Sequence, residues 1–259
     1  MRKAMLVSII TPTYNCARFI EETIRSVQAQ TYTDWEMIIS DDCSTDNTQE
    51  VIAPYLERDK RIKYIRNEVN SGAAITRNNA LKVAQGRWIA FLDSDDLWHP
   101  EKLERQLQFM QANNYAFSYT DYEEMDERGN LVGRRVTGPA KISTFGMYAY
   151  CWPGCLTVMY DSDKVGLIQI EDIKKNNDYA MWLKAIHRAP CYLLHETLAT
   201  YRRRSGSISN HSYWHLIQWH YRLFREADKQ SVLGTLCWTM LNIGCGVWKK
   251  LYYTQNKTV

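Results

Sequence analysis

No segment of the 259-residue chain repeats, and no low-complexity linker interrupts it, so one compact domain with a tail is expected, not an array. Its seven cysteines, at positions 16, 43, 151, 155, 191, 237 and 245, lack the tight recurring spacing of a disulfide framework. Free thiols in a reducing cytosol are the reading that follows. Cys151 and Cys155 have no second Cys or His pair nearby, which leaves them short of a zinc site. An excess of one charge is missing too: the formal net charge is +3, and the densest basic run is Arg202 to Arg204. Nucleic acid is therefore excluded as a partner. The apolar run near the N-terminus breaks at Thr11 and Pro12 without a small-residue cleavage site, so it reads as a strand and not as a secretory leader.

What is present is a composition 45% hydrophobic and 24% charged, that of a soluble globular protein with a substantial core. Nine Trp and seventeen Tyr supply the half-exposed rings that suit sugars or a membrane interface.

The apolar pattern alternates between strand and helix through the first hundred residues. Residues 5–10 form a strand, and T-P-T-Y-N turns into a helix with Asn15 as N-cap and Ile20, Ile24 and Val27 as its buried stripe. Residues 35–40 make a second strand ending in Asp41-Asp42-Cys43-Ser44, with Thr45 or Asp46 opening a helix that carries Val51, Ile52, Tyr55 and Leu56. A third strand spans residues 62–65. Asn70-Ser71-Gly72 then opens a helix with Ala74, Arg77, Leu81 and Ala84 along one side and Gly86 just past its end. Residues 89–92 are continuously apolar, as a strand covered on both faces would be. This alternation predicts an α/β fold: a mostly parallel sheet, right-handed connections and helices on both faces.

Beyond it the pattern loosens. His99-Pro100 begins a helix with Leu103, Leu107 and Met110 inward, residues 115–120 form a strand, and D-E-R-G-N at 126–130 reads as a turn between antiparallel strands. Residues 139–155 have no assignable period. Residues 156–160 read as a strand, 178–188 as a helix presenting Tyr179, Trp182, Leu183 and Ile186, and 193–201 as extended chain. Trp214, Ile217, Tyr221 and Phe224 recur at helical spacing. Residues 231–248 carry no charge; Leu233, Leu236, Cys237, Met240, Leu241 and Trp248 share one face, and Thr235, Thr239 and Asn242 another. Followed by Lys249 and Lys250, this helical C-terminal tail has the pattern of a helix lying in a membrane surface, with packing on its own domain or in a homo-oligomer as the alternative. At eighteen positions the stretch only reaches the lower limit for a span.

The chemistry concentrates in D-S-D-D, where Asp93, Asp95 and Asp96 follow the fourth strand. Open α/β sheets place their ligands at that edge. Three carboxylates so close repel one another unless a cation is present, and hard oxygen ligands suit Mg²⁺ or Mn²⁺. The plainer alternative is that Asp95 or Asp96 caps the helix at Pro100. Tyr14 after the first strand and Asp41 and Asp42 after the second fall at the same edge, with Arg77 on the inward side of its helix. Such an edge suits a base, a ribose and a metal-bound diphosphate.

Taken in order, V-S-I-I-T-P-T-Y-N, S-V-Q-A-Q-T-Y, S-D-D-C-S-T-D-N-T, N-S-G-A-A-I-T-R-N-N-A-L and F-L-D-S-D-D-L-W-H-P-E-K-L resemble inverting family 2 glycosyltransferases of the GT-A fold, in particular bacterial enzymes of teichuronic acid, capsule and O-antigen assembly. The likeness implies a nucleotide-sugar-binding Rossmann-like half over residues 1–120, an acceptor-binding and catalytic half over 121–210 and a helical tail over 211–259. It also implies that Thr11, Pro12 and Tyr14 line the base pocket, Asp42 bonds the base, and Arg77 lies against the nucleotide. Asp93 would contact the ribose, Ser94 and Asp96 the donor sugar region, and Asp95 an Mn²⁺ or Mg²⁺ ion. For the base, the family usually has an E-D pair at the head of a helix ending in Trp. Here Asp178 and Trp182 keep that spacing while Asn177 stands where the Glu usually does, so Asp178 is the expected general base and Glu171-Asp172 the alternative.

Arg202 to Arg204 with Ser205 to Ser209 resemble the family's loop over the diphosphate, a solvated basic turn being the alternative, and His211 is a minor phosphate candidate. The implied activity is transfer of a sugar from a UDP-sugar to a lipid-linked or oligosaccharide acceptor at the cytoplasmic face of the membrane. A pyrophosphorylase would need a Gly-rich loop where Tyr14-Asn15-Cys16 stands, and a processive synthase would need several spans and Q-x-x-R-W. A non-catalytic nucleotide- or glycan-binding subunit is the remaining alternative.

Overall fold

The computed structural model describes residues 3–173, 175–204 and 213–256. In chain order the elements are β1 (Lys3–Thr13), α1 (Ile20–Gln28), β2 (Trp35–Asp41), α2 (Thr48–Arg58), β3 (Ile62–Arg66), α3 (Gly72–Val83), β4 (Gly86–Phe91), β5 (Leu97–Trp98), α4 (Lys102–Ala112) and β6 (Phe117–Met125). They continue with β7 (Leu131–Val136), β8 (Lys141–Ile142), α5 (Thr144–Ala149), β9 (Met159–Asp161), α6 (Ser162–Val165), α7 (Asn177–Ile186), β10 (Cys191–Arg202), α8 (Tyr213–Arg222), α9 (Val232–Tyr252) and β11 (Thr254–Asn256).

Strands β3, β2, β1 and β4 run parallel, with Val7 opposite both Trp35 and Trp88, and Ile10 opposite both Ile38 and Phe91. Beyond β4 the sheet turns mixed: β9 is antiparallel to β4 and β6, β7 antiparallel to β6, and β11 antiparallel to β7. Strand β10 runs parallel to β6 and antiparallel to β5 and β8. Because side chains alternate across a strand, the central strands feed two cores. Ile10, Ile38, Ile89 and Phe91 face Leu81 of α3 and Trp182 of α7. Val7, Ile9, Met37 and Ile39 face Ile20, Ile24 and Val27 of α1 and Leu103, Leu107 and Met110 of α4. Each fully buried Ile contributes about 2 kcal/mol of transfer free energy, and the two-sided burial explains the unbroken apolar runs of β2 and β4.

Several local expectations are corrected. Asn15 does not cap α1, which follows Phe19; it holds a left-handed φ of +48°, and its Oδ1 accepts from the Thr45 N–H at 2.8 Å, tying two strand-end loops together. Gly86 does not close α3, which ends at Ala84, but begins β4; a Cβ there would lie 2.4 Å from the Leu6 carbonyl oxygen. Neither Asp95 nor Asp96 caps a helix at Pro100, since residues 97–98 pair with β10 and α4 starts at Lys102. Of the strand expected at 156–160, the first part is a 3₁₀ turn, Cys155–Thr157, and the strand proper starts at Met159. The stretch without a period supplies β8 and α5. Ile217 of α8 is exposed, whereas Phe224 is buried in the π-helical turn that follows.

Helix α9 packs with its polar side inward. Thr235, Thr239 and Asn242 are buried, while Leu233 and Met240 are 73% and 74% exposed. Lys249 also turns in, its Nζ donating to the Trp152 carbonyl at 3.1 Å, and burial pushes its pKa down to about 8. Among the described residues no helix is long and apolar enough to cross a membrane.

Candidate active site

Leaving β4, the chain bonds back to β1 through the Leu92 N–H and the Ile10 carbonyl, then turns tightly, Asp96 N–H donating to the Asp93 carbonyl at 3.1 Å. The turn is pinned from below. Cys16 Sγ meets the Ser94 carbonyl at 3.3 Å, and the Thr23 hydroxyl donates to the Asp96 carbonyl at 2.9 Å. Mutual repulsion among the three carboxylates is relieved separately at each. Arg77 Nη2 donates to Asp93 Oδ1 at 2.5 Å, and Arg204 Nε approaches Asp95 Oδ2 at 2.7 Å. Asp96, 2% exposed, accepts the Arg202 backbone N–H at 2.9 Å; burial first, then Asp95 and Asp93, push its pKa well up.

Arg202, expected in a loop over the diphosphate or, alternatively, in a solvated basic turn, is a core residue. Its guanidinium reaches Glu22 at 2.6 Å and the Asp95 carbonyl at 2.9 Å, and it is 2% exposed. Only Arg203 and Arg204 keep substantial exposure. Ser205 to Ser209 and His211 lie outside the described residues, and His215 is an exposed ring tilted against Trp219.

Among the described residues no three His, Cys, Asp or Glu side chains converge into a closed cage. Asp95 nonetheless fits a hard divalent ion of the kind that takes one or two carboxylates and completes its shell with substrate phosphates and water. Its partner is a guanidinium, a cation standing where an ion would be needed, and burial followed by the Asp93 charge holds its pKa above the ordinary carboxylate value against the pull of Arg204.

Arg77 connects this loop to a distant segment. Buried on α3, it donates through Nη1 to Asn177 Oδ1 as well as through Nη2 to Asp93. Asn78, next in sequence, is bonded both ways to the backbone of Ile170 at 2.8 Å, so α3 anchors the irregular segment that precedes α7. Asn176 then turns the chain in a left-handed conformation, φ +56°, that asparagine tolerates, and Asn177 and Asp178 open the helix. Asp178 is half-buried and accepts the Tyr179 N–H at 2.8 Å. Burial raises its pKa, and the neighbouring Arg77 charge offsets part of that. The alternative pair is exposed, with Glu171 3.0 Å from Lys184 Nζ.

The remaining candidates lie at the ends of β1 and β2. Thr11 is fully buried, with no hydrogen-bond partner for its hydroxyl among the described residues; Pro12 is half-buried and Tyr14 exposed. Asp42 accepts the N–H groups of Ser71 and Gly72, each at 2.7 Å, and Asn67 Nδ2 at 2.8 Å. A carboxylate at the N-terminus of α3 stabilises that helix and so fixes where Arg77 stands. Asp41, fully buried, is engaged by Ser44 and Tyr64. The structure therefore joins Asp93 and the head of α7 through Arg77, groups Asp95 with Asp96, and leaves Thr11, Pro12, Tyr14 and Asp42 along the adjacent strand ends. Asn177 as the acceptor of Arg77 and Cys16 as a contact of the Ser94 carbonyl are what sequence reasoning passed over, and Arg204, read as part of a loop or turn, was not paired with Asp95. Each partner is remote in the chain, so no local pattern signalled these contacts.

The family model described as Glycosyl transferase family 2 matches residues 8–154. The chain is 42% identical over 225 residues to the putative teichuronic acid biosynthesis glycosyltransferase TuaG of Bacillus subtilis, covering 86% of this chain and 89% of that one. It is 43% identical over 181 residues to the UDP-Glc:alpha-D-GlcNAc-diphosphoundecaprenol beta-1,3-glucosyltransferase WfgD of Escherichia coli, covering 70% of each. Among solved structures, S. aureus TarS 1-349 in complex with UDP-GlcNAc superposes with a TM-score of 0.67 at 23% identity, covering 88% of this chain and 69% of that one. The mannosyltransferase PcManGT from Pyrobaculum calidifontis, in complex with GDP-Man and Mn²⁺, gives a TM-score of 0.67 at 16% identity, covering 95% of this chain and 72% of that one.

Proposed function

The chain belongs to glycosyl transferase family 2 and is a glycosyltransferase of the GT-A fold, and from that premise we propose that it moves a sugar, with inversion, from a UDP-sugar to a lipid-linked glycan acceptor in cell-surface polysaccharide assembly at the cytoplasmic face of the membrane. The observation that carries the reading is the Arg77 bridge: one buried cation touches Asp93 in the loop after β4 and Asn177 beside Asp178. Donor and acceptor chemistry are thereby brought to one place. The UDP-Glc donor and the diphosphoundecaprenol-linked acceptor that WfgD is named for support the substrate classes.

In the proposed reaction Asp178 takes the proton of the acceptor hydroxyl while that oxygen bonds to the anomeric carbon. The bond from that carbon to the diphosphate oxygen breaks, and its electron pair leaves with the nucleoside diphosphate. A carboxylate whose pKa is raised by burial is a stronger base than one in water, which suits this role. Asp93 holds the ribose, Ser94 and Asp96 support the donor-sugar side, and Thr11, Pro12, Tyr14 and Asp42 surround the base. Mn²⁺ or Mg²⁺ at Asp95 would neutralise charge on the departing diphosphate. Arg204, beside Asp95, adds a second positive charge on the diphosphate side of the site.

The test is UDP release from a panel of UDP- and GDP-sugars, with and without Mn²⁺, given a diphosphate-linked N-acetylhexosamine on a short lipid. Metal-dependent release from a UDP-sugar that needs the acceptor is expected. Donor binding with no release on any acceptor would favour a non-catalytic binding subunit.

A further inference from the structure

The outward face of α9 is apolar from end to end. Leu233, Leu236, Met240, Val247, Trp248 and Leu251 are all exposed, and the side chains of Trp248 and Tyr252 stack at 4.2 Å near its C-terminal end. An isolated amphipathic surface helix would turn such a stripe toward the core. Here the core side is filled by Thr235, Thr239, Asn242 and the inward-turned Lys249, so the apolar stripe is left over by the way the helix is docked, not by a loose fit. The patch continues onto α5, where exposed Phe145 lies against Trp238 with ring centroids 5.6 Å apart.

We propose that this face is where the enzyme lies on a membrane: α9 rests along an anionic phospholipid surface, with Leu233, Met240 and Trp248 in the headgroup–acyl boundary. The charge beside the patch chooses the bilayer over a second copy. The exposed charges beside it, where α8 leads into α9, are Arg222, Arg225 and Lys229 against the single acid Glu226, Asp228 being engaged by Tyr148 and Gln230. Net positive charge at one end of an apolar face, with Trp and Tyr at the other, is complementary to anionic headgroups. The helix lies on the bilayer and does not cross it, because leaving the domain would expose the polar row it buries.

The docking also orients the site. Asn242 Nδ2 donates to the Tyr179 hydroxyl at 2.7 Å, and Tyr179 follows Asp178. The inner side of the membrane-lying helix is thus one bond from the helix that carries the proposed base. That clause rests on the glycosyl-transfer reading; the docking does not.

The experiment is flotation of the full chain with vesicles of phosphatidylcholine alone and of phosphatidylcholine with phosphatidylglycerol at about three to one. The wild type is expected to float with the anionic vesicles. Leu233→Ser/Met240→Ser/Trp248→Ser, changed only at exposed positions, is expected to float about tenfold less while melting at the wild-type temperature. Arg222→Gln/Lys229→Gln is expected to lower binding to anionic vesicles alone. Failure of the wild type to float, or a concentration-dependent dimer dispersed by the triple substitution, overturns the proposal. Transfer to a soluble short-lipid acceptor is measured in parallel, so that flotation without transfer sinks the reaction and leaves the docking, and transfer without flotation does the reverse.

Discussion

In the loop from Asp93 to Asp96, Asp93 and Asp95 each face a guanidinium, that of Arg77 and that of Arg204, while the buried Asp96 accepts the Arg202 backbone N–H. At the head of α7, Asp178 has no cation within ion-pair distance among the described residues, and feels Arg77 only through space. The two acidic regions meet at one arginine yet are built for opposite tasks. A carboxylate that holds a cation is best kept charged and fixed. A carboxylate that must accept a proton is best left uncompensated, so that its charged form is less comfortable and its affinity for a proton higher.

Asp178→Asn breaks the comparison most severely. Turnover is expected to fall by about 10²- to 10⁴-fold while calorimetric UDP-sugar affinity with Mn²⁺ stays near the wild-type value. If affinity falls in step with turnover, Asp178 belongs with the holding group. Asp95→Asn is the converse. Donor affinity in Mn²⁺ is expected to weaken by at least the roughly 10- to 100-fold that disturbing a metal site's outer contacts costs, with little change in metal-free nucleotide binding. An unchanged Mn²⁺ dependence would remove Asp95 from the metal.

The smallest effect is the sharpest. With Asp178 as the proposed base, transfer requires its deprotonated form, so kcat should decline as the pH falls through a value above that of an ordinary aspartate. The Arg77 charge lowers that value; Arg77→Met should therefore move the acid limb upward, and Arg77→Lys should leave it nearer the wild type. A limb that ignores the charge at position 77 would show that Asp178 and the loop do not communicate.

How much of this was legible depended on whether a residue's partners were local. Ile20, Ile24 and Val27 announced α1 because helical spacing alone places them together, and the strand ends 93–96 and 41–42 were legible because a parallel sheet collects such ends at one edge. Asp178 could be singled out by its spacing to Trp182. Arg202 could not, because nothing in R-R-R says that the first side chain turns into the core to meet Glu22, 180 positions earlier in the chain. Strand β10 was legible as extended chain, but its place between β6 and the short strands β5 and β8 is a matter of non-local pairing. For α9 the two faces were read correctly; which face the domain would take was not contained in the pattern, because Tyr179 and the Trp152 carbonyl offered better partners to its polar side.

Gly86 carries a consequence on another scale. With the Leu6 carbonyl oxygen 2.4 Å and the Ser8 hydroxyl 2.8 Å from where a Cβ would stand, no other residue fits unless β1 and β4 move apart. Those two strands end at Thr13 and Phe91, at the sheet edge that Tyr14 and Asp93 extend. A chain that keeps this spacing between β1 and β4 can be rewritten at many positions, but here it has one letter to use.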